Sequence, residues 1–325
     1  MNWIKFAAGI ALSASLGGAF AVQASAQEYP SKPITLVVPF APGGPTDLAS
    51  RVLAEAVGKE LGQTVVVENR AGASSMIGAT HVFNASNDGY TLLVGTTTTY
   101  ATNPHVFKNI TYDPTKLSPI AMVVKVPLAF AVRKNLGVDT IAEFVEYAKK
   151  NGGAVKYGSA GAGSHSGMAC FLAGREIGVE MREIPYKGTA PALTDLMAGN
   201  VDALCDAVGT LSEPYRADSV KVIGELDEER SSAMPDVSTF VEAGYPNLVI
   251  NNWFALTGPE GMDDAIVQKL SKAVEVAVSS EDVADRLNKI GFVPQYMAPK
   301  ELSEFMAAEY KRFDEVVETL GISLE

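Results

Sequence analysis

The chain has 325 residues, 47% of them hydrophobic, and its 26 basic and 38 acidic side chains give a formal net charge of −12 at pH 7. An acidic surface repels phosphate backbones and anionic lipid, so the composition argues against nucleic acid as a partner. The length is sufficient for a sizeable core and for two domains of ordinary size.

The N-terminus has the pattern of an export signal. Lys5 precedes an apolar stretch at 6–20, and Ala24-Ser25-Ala26 has the small-x-small pattern of a signal peptidase site. The alternative is a membrane anchor, but the apolar stretch is about 15 residues long, whereas a spanning helix needs about 20. We therefore predict a cleavable signal peptide at 1–26 and a periplasmic protein whose mature chain starts at Gln27.

Apolar strand-like runs alternate with periodic helix-like segments along most of the mature chain. Strands are predicted at 34–38, 64–67, 91–94, 128–132, 155–158, 182–184, 201–204, 220–223 and 253–256. Helices are predicted at 46–61, 141–150, after 164, and at 191–198, 263–279, 281–290 and 299–320, so the last third is nearly all helix. This alternation predicts an α/β fold with largely parallel sheets. No repeat or low-complexity linker is present, which favours two lobes between which the chain crosses more than once.

Two glycine-rich loops follow predicted strands. The first loop, 39–47, includes Pro42, Gly43, Gly44 and Asp47, and the second loop, 157–167, is rich in glycine and serine. Neither loop contains Lys or Arg, so an anion held there would be bound by backbone amides, hydroxyls and helix N-termini. The alternative for the first loop is an ordinary turn whose aspartate only caps the next helix.

Several kinds of chemistry are disfavoured by the motifs. The second loop does not fit G-x-G-x-x-G, because the third glycine falls one place late at Gly167, and no phosphate-loop lysine motif occurs. Ser164 and His165 are sequence neighbours without a nucleophile elbow, which argues against a hydrolase. His81 and His105 have no second ligand at metal spacing. We predict no metal, no cofactor and no catalysis.

Other polar stretches could reach a cleft between lobes. These are the hydroxyls at 96–99, the turn at 185–191 with Tyr186, and Asp206 after a predicted strand, although each is also explained as an ordinary turn or loop. Phe40, Tyr100 and Tyr186 could stack on a ligand ring, but aromatic residues at strand ends more often pack in the core. Cys170 and Cys205 permit one disulfide in an oxidising compartment, yet both lie in apolar runs, which favours two buried free thiols.

Together, these stretches resemble the substrate-binding receptors of tripartite tricarboxylate transporters, the Bug family. The resemblance covers essentially the whole mature chain and depends on the order and spacing of the segments 29–34, 39–47, 68–73, 88–93, 185–188, 235–237 and 253–254. It implies a two-lobed type II periplasmic binding protein, or venus flytrap, that closes on a small organic carboxylate. The implied lobes are 27–128 with 252–325, and 129–251, with hinge strands at 128–132 and 253–256. In this family, main-chain groups and bridging waters of the glycine loops hold the carboxylate.

The predicted ligand contacts lie in both loops and in the neighbouring turns. They are Phe40, Pro42, Gly43, Gly44, Asp47, Thr97, Thr98, Ser159, Ala160, Gly163, Ser164, His165, Tyr186 and Asp206. The chain departs from the family at Gly167, where relatives commonly have a histidine. The expected partners are a carboxylate (a di- or tricarboxylate, an amino acid or an aromatic acid) and the transporter's membrane components, with the receptor a monomer. The alternatives are a secreted enzyme acting on carboxylates or esters and a periplasmic sensor component.

Overall fold

The computed structural model describes residues 29–151 and 155–320. The predicted signal peptide lies outside the described residues. The strands are β1 Ile34–Val38, β2 Val65–Asn69, β3 Thr91–Thr96, β4 Ser118–Arg133, β5 Lys156–Ser159, β6 Arg182–Pro185, β7 Ala203–Ala207, β8 Val220–Glu225, β9 Asn251–Gly258 and β10 Val293–Met297. The helices are α1 Pro45–Leu61, α2 Met76–Phe83, α3 Asn103–Val106, α4 Ile141–Lys150, α5 His165–Glu176, α6 Thr189–Ala198, α7 Val208–Arg216, α8 Asp264–Ser279, α9 Glu281–Lys289 and α10 Pro299–Leu320.

The strands form one sheet in the order β2-β1-β3-β9-β4-β7-β5-β6, with β8 and β10 also paired to β4. Parallel pairs occur in two groups: β1 with β2 and β3, and β5 with β6 and β7. All described pairs that involve β4 or β9 are antiparallel. The expectation of an α/β fold is confirmed, and the expectation of largely parallel pairing is wrong around these two strands, because both run between the parallel groups and antiparallel to their neighbours.

The long strand β4 belongs to both halves of the sheet. Its residues from Ser118 to Pro127 pair with β9, and from Leu128 onward it pairs with β7 and β8. We call β1, β2, β3, β9 and β10 the first half-sheet, and β5 to β8 the second half-sheet. The chain enters the second half-sheet along β4 and returns before β9, so it passes between the halves twice. Most of β4 is buried.

Local sequence explains where the elements that border the loops begin and end. Helix α1 starts at Pro45, where the missing proline N–H costs nothing, and it ends at Gly62, whose φ of 63° suits glycine. Helix α5 begins at the side-chain cap of Ser164, which accepts a hydrogen bond from the Gly167 amide. Four of these elements were not predicted, namely α2, α3, α7 and β10, and β10 corrects the expectation of a nearly all-helical last third.

The two cysteines form a disulfide that joins α5 to β7, with their Cα atoms 5.3 Å apart. The expectation of two free buried thiols is therefore wrong. Both residues are fully buried, as their apolar neighbours indicate, but burial and pairing are compatible because the two runs pack on each other. The disulfide links the helix that follows the second glycine loop to the strand that ends beside Asp206.

Candidate ligand-binding site

A cavity lies where the N-termini of helices from both half-sheets meet. Its volume is about 30 Å³. The first residues of α1 and α6 reach it, as does Ser166 near the start of α5. The full lining comprises Phe40, Gly44, Pro45, Thr46, Thr96, Thr98, Leu128, Ala160, Ser166, Thr189, Asp206 and Asn252. So small a space holds a water molecule or two, so the walls would have to separate to admit a larger ligand.

The positive potential of the cavity comes from backbone groups rather than from basic side chains. Among the described residues that line it, none is Lys or Arg. Helices α1, α5 and α6 instead direct their positive ends toward one region, and each helix terminus carries roughly half a unit of positive charge. Hydroxyl groups of Thr46, Thr98 and Ser166 add donors that can turn toward a ligand oxygen.

Hydrogen bonds within the second loop fix its shape. The Ala160 amide donates to Ser166 Oγ at 3.0 Å, and the Gly161 amide donates to Ser159 Oγ at 3.3 Å. Gly161 has a φ of 140°, and a side chain there would collide with Ser74, so glycine is required. These hydrogen bonds and the conformation of Gly161 therefore hold the backbone of the loop in place.

The loops of the two half-sheets touch directly around the cavity. The Ala41 amide donates to the Lys187 carbonyl at 3.0 Å, and Ser74 Oγ donates to the Ala162 carbonyl at 2.6 Å. The His165 amide donates to Thr98 Oγ1 at 2.9 Å. These contacts bring the walls of the cavity together, which is the arrangement expected of a closed cleft.

Asp206 is the acidic residue of the lining. It is 2% exposed; its carboxylate accepts hydrogen bonds from the Ala207 amide at 2.8 Å and from Thr210 Oγ1 at 2.7 Å. Burial raises its pKa to about 6, although these hydrogen bonds act in the opposite direction. The Thr189 hydroxyl, which also lines the cavity, lies beside this carboxyl and lowers its pKa as well. This end of the cavity therefore offers a carboxyl group next to a hydroxyl.

Five predicted contacts lie in the cavity lining: Phe40, Gly44, Thr98, Ala160 and Asp206. Nine others do not: Pro42, Gly43, Asp47, Thr97, Ser159, Gly163, Ser164, His165 and Tyr186. The hydrogen bonds of several explain why. Asp47 accepts from Arg51, Asn69 and the Gly43 amide at the start of α1, and Tyr186 Oη donates to Asp195 at 2.6 Å. Thr97 Oγ1 accepts from the Trp253 amide at 3.2 Å.

Ser164 and His165 do not form a catalytic pair. Ser164 Oγ caps α5 and lies 3.2 Å from Ser166 Oγ, while neither ring nitrogen of His165 has a hydrogen-bond partner among the described residues. The imidazole faces away from the cavity toward Phe313 of α10, with ring centroids 5.7 Å apart. The sequence departure at Gly167 also has a structural reason, since a Cβ there would collide with the buried carboxylate of Glu183.

Sequence reasoning left seven lining residues out of the predicted contacts. Four of them, Pro45, Thr46, Ser166 and Thr189, lie in or next to stretches that were recognised as polar loops, and Thr96 lies in the threonine run. Leu128 and Asn252 lie on β4 and β9 and reach the cavity through strand pairing, for which the sequence carries no local signal.

The comparisons with known proteins decide the family. Residues 49–322 match the family model described as "Tripartite tricarboxylate transporter family receptor". This chain belongs to that receptor family. It is similar to the solved structure of the periplasmic binding protein BugD, with 33% identity, a TM-score of 0.87, and coverage of 91% of this chain and 100% of that chain.

Two further similar structures have ligands. MatC from Rhodopseudomonas palustris with bound malate is 34% identical, with a TM-score of 0.85 and coverage of 89% of this chain and 100% of that chain. An R. palustris protein with adipate is 32% identical, with a TM-score of 0.88 and coverage of 91% of this chain and 100% of that chain. The chain is thus a solute-binding receptor with a periplasmic-binding-protein fold, and the enzyme alternative is set aside because the family is one of transport receptors.

Two negative observations concern residues 29–151 and 155–320. No helix in these ranges is long and apolar enough to cross a membrane. No group of three or more His, Cys, Asp or Glu side chains in them could hold a metal ion.

Proposed function

We propose that this receptor, after loss of residues 1–26, works in the periplasm and binds a small aliphatic dicarboxylate between two lobes. The lobes would be 27–128 with 252–325, and 129–251, and they would deliver the ligand as a monomer to the membrane components of a tripartite transporter. The observation that carries the proposal is the cavity in which helix N-termini from both half-sheets converge and none of the described lining side chains is basic. The malate and adipate held by similar receptors support the same ligand class.

The geometry supports closure as the binding step. The lining combines Gly44 and Thr98 from the first half-sheet with Ala160 and Asp206 from the second, so a ligand would contact both. A ligand that touches both lobes only when they are together shifts the population toward the closed state. Since β4 runs through both half-sheets, bending at its change of partners near Pro127 and Leu128 would provide the hinge.

A second part of the proposal concerns Asp206. A dicarboxylate beside an ionised, buried carboxylate would be repelled, so we propose that the ligand either presents a hydroxyl to Asp206 and Thr189 or binds with Asp206 protonated. The raised pKa of about 6 makes protonation accessible near neutral pH. Hydroxylated dicarboxylates would satisfy both groups without a proton.

A thermal-shift screen of the mature chain tests the proposal. The panel contains aliphatic dicarboxylates with and without a hydroxyl, tricarboxylates, amino acids and aromatic acids. A ligand at 100 times its dissociation constant adds about 2.7 kcal/mol to stability, which gives a clear shift. Stabilisation by dicarboxylates that is lost in Thr98→Val but kept in the matched Thr115→Val variant, on an exposed turn, would support the site. The absence of a shift with any carboxylate, in folded protein free of carried-over ligand, would refute it.

A further inference from the structure

The backbones of the two half-sheets approach each other closely between the start of α7, which follows β7, and the turn that joins α9 to β10. Gly209 of α7 faces Ile290 and Gly291 of that turn. A Cβ at Gly209 would overlap the Ile290 carbonyl oxygen and would lie 2.7 Å from the carbonyl carbon and 2.8 Å from the ring of Phe292. A Cβ at Gly291 would in turn lie 2.9 Å from the Gly209 amide nitrogen. We call the approach of Gly209 to Ile290 and Gly291 the glycine contact.

The glycine contact lies beside the strand that connects the half-sheets. Strand β7 ends with Ala207 opposite Leu128 of β4, and β10 begins with Val293 opposite Lys125 of β4. The change of partners on β4 lies between these two positions. The residues of the glycine contact do not line the carboxylate cavity. A substitution at Gly209 would therefore alter how the half-sheets meet without changing a side chain that lines the cavity.

The local backbone gives no reason for glycine at this position. The φ of Gly209 lies outside the left-handed region, and alanine is favoured over glycine within a helix because glycine loses more conformational freedom on folding. The facing turn is what excludes a side chain. In that turn the amides of Gly291 and Phe292 donate to the carbonyls of Asn288 and Leu287 at 2.9 and 3.0 Å. The colliding group is thus a backbone carbonyl in a hydrogen-bonded turn, which cannot swing aside as the end of a flexible side chain could.

The first turn of α7 is held in place as well. Thr210 Oγ1 donates to the Asp206 carboxylate at 2.7 Å, and the side chains of Val208 and Leu211 are fully buried in the core of the second half-sheet. Because both sides of the glycine contact are fixed within their own halves, a methyl group at position 209 is accommodated by separation of the half-sheets. Bending of β4 near Pro127 would permit that separation.

From this geometry we infer that Gly209 is a positioning residue for ligand binding: it lets the half-sheets meet, and a side chain at this position excludes the closed arrangement. This role rests on the proposed closure around a carboxylate. A ligand that binds the closed state has an apparent affinity that is reduced in proportion to the fraction of molecules able to close. Gly209→Ala should therefore weaken ligand binding although residue 209 lies outside the cavity lining.

The matched control is Gly58→Ala, at another helical glycine that faces a backbone carbonyl. A Cβ at Gly58 would lie 3.0 Å from the carbonyl oxygen of Gln63, and both residues lie between β1 and β2 of the first half-sheet. Both variants should fold, as judged by circular dichroism, because separation of the half-sheets relieves the collision in Gly209→Ala. A Gly209→Ala chain that does not fold would overturn the inference, since the collision would then not be relieved by separation.

The first measurement follows closure without a ligand. Gly43→Cys and Ala190→Cys place two β-carbons 3.9 Å apart across the cavity walls, within the range of about 3.5 to 4.5 Å found in disulfides. The two native cysteines are already paired with each other. The new pair should oxidise in the otherwise wild-type chain, about tenfold more slowly when Gly209→Ala is added, and at an unchanged rate with Gly58→Ala. Equal rates with the two alanine substitutions, or no cross-link in any of the chains, would overturn the inference.

The second measurement is isothermal titration with malate. Gly209→Ala should bind malate about tenfold more weakly than wild type, and Gly58→Ala should bind it within about twofold of wild type. Equal malate affinity in Gly209→Ala and wild type would overturn the inference. If neither malate nor any other carboxylate binds wild type, the proposed function is refuted, and the cross-linking rates alone decide whether Gly209 controls closure.

Discussion

Replacing Asp206 by asparagine should make the stability of the protein depend less on pH. The carboxyl is 2% exposed and its pKa is about 6 in the folded protein against 3.8 for the unfolded chain. At ~1.4 kcal/mol per pKa unit, this difference corresponds to about 3 kcal/mol. Because the folded pKa is raised, the stabilising contribution is fully present below pH 3.8 and is lost as pH rises through about 6. Asparagine carries no such pH-dependent penalty and can still pair with Ala207 and Thr210.

Urea unfolding between pH 4 and pH 7.5 measures this effect. Trp253 reports the transition, since Trp3 lies in the predicted signal peptide. The stability of Asp206→Asn relative to wild type should rise with pH by a value approaching 3 kcal/mol. The control is Asp47→Asn. Burial would raise the pKa of Asp47, but hydrogen bonds from Arg51, Gly43 and Asn69 lower it below 3.8. The stability difference between Asp47→Asn and wild type should therefore stay nearly constant from pH 4 to pH 7.5, because a lowered pKa affects stability only as pH falls below about 4. A pH-independent difference for Asp206→Asn would refute the reasoning, since it would mean that the carboxyl titrates like one in water.

Three other predictions follow from contacts around the site. Gly44→Val should weaken carboxylate binding by about tenfold to a hundredfold in titration, because the valine side chain would point toward the facing loop at Thr189. The chain should stay folded, since the φ of −81° at Gly44 suits valine. A variant with wild-type affinity would contradict the prediction. Reduction of Cys170–Cys205, which are 35 residues apart, should lower the free energy of unfolding by about 4 kcal/mol, and an unchanged denaturation midpoint would exclude the disulfide. Gly167→Ala should cost about 1 to 3 kcal/mol in wild type and little in Glu183→Ala, so additive losses in a double-mutant cycle would argue against the contact.

The loops of the site could be predicted from sequence because their signals are local. Glycines and prolines after apolar runs mark where strands end, and hydroxyl-rich segments without Lys or Arg indicate an anion site built from backbone. The same local signals do not indicate where the side chains of Tyr186 and Asp47 point. Both lie beside the cavity along the chain, but Asp195 and Arg51 fix where their side chains point. Such partners are set by three-dimensional packing.

Long-range pairing explains the other differences from expectation. Strand β10 contains Pro294 and lacks the alternation of apolar and polar residues that marks a strand in sequence. The segment is a strand because it pairs with β4. The disulfide needed α5 and β7 to pack together, which burial patterns alone do not reveal. The collision between a side chain at Gly167 and Glu183 joins residues on different elements, and one sequence carries no sign of it.

The position of the disulfide has a mechanical consequence. The bridge ties α5, which starts at the second glycine loop, to β7, which ends beside Asp206, and both elements belong to the second half-sheet. The disulfide therefore stiffens the second half-sheet. It crosses neither β4 near Pro127 nor the segment that leads back to β9. The bridge would fix the shape of the second half-sheet next to the cavity and leave β4 free to bend near Pro127. The cavity wall formed by the second half-sheet would then keep its shape, and any bending would be confined to the strands that connect the two half-sheets.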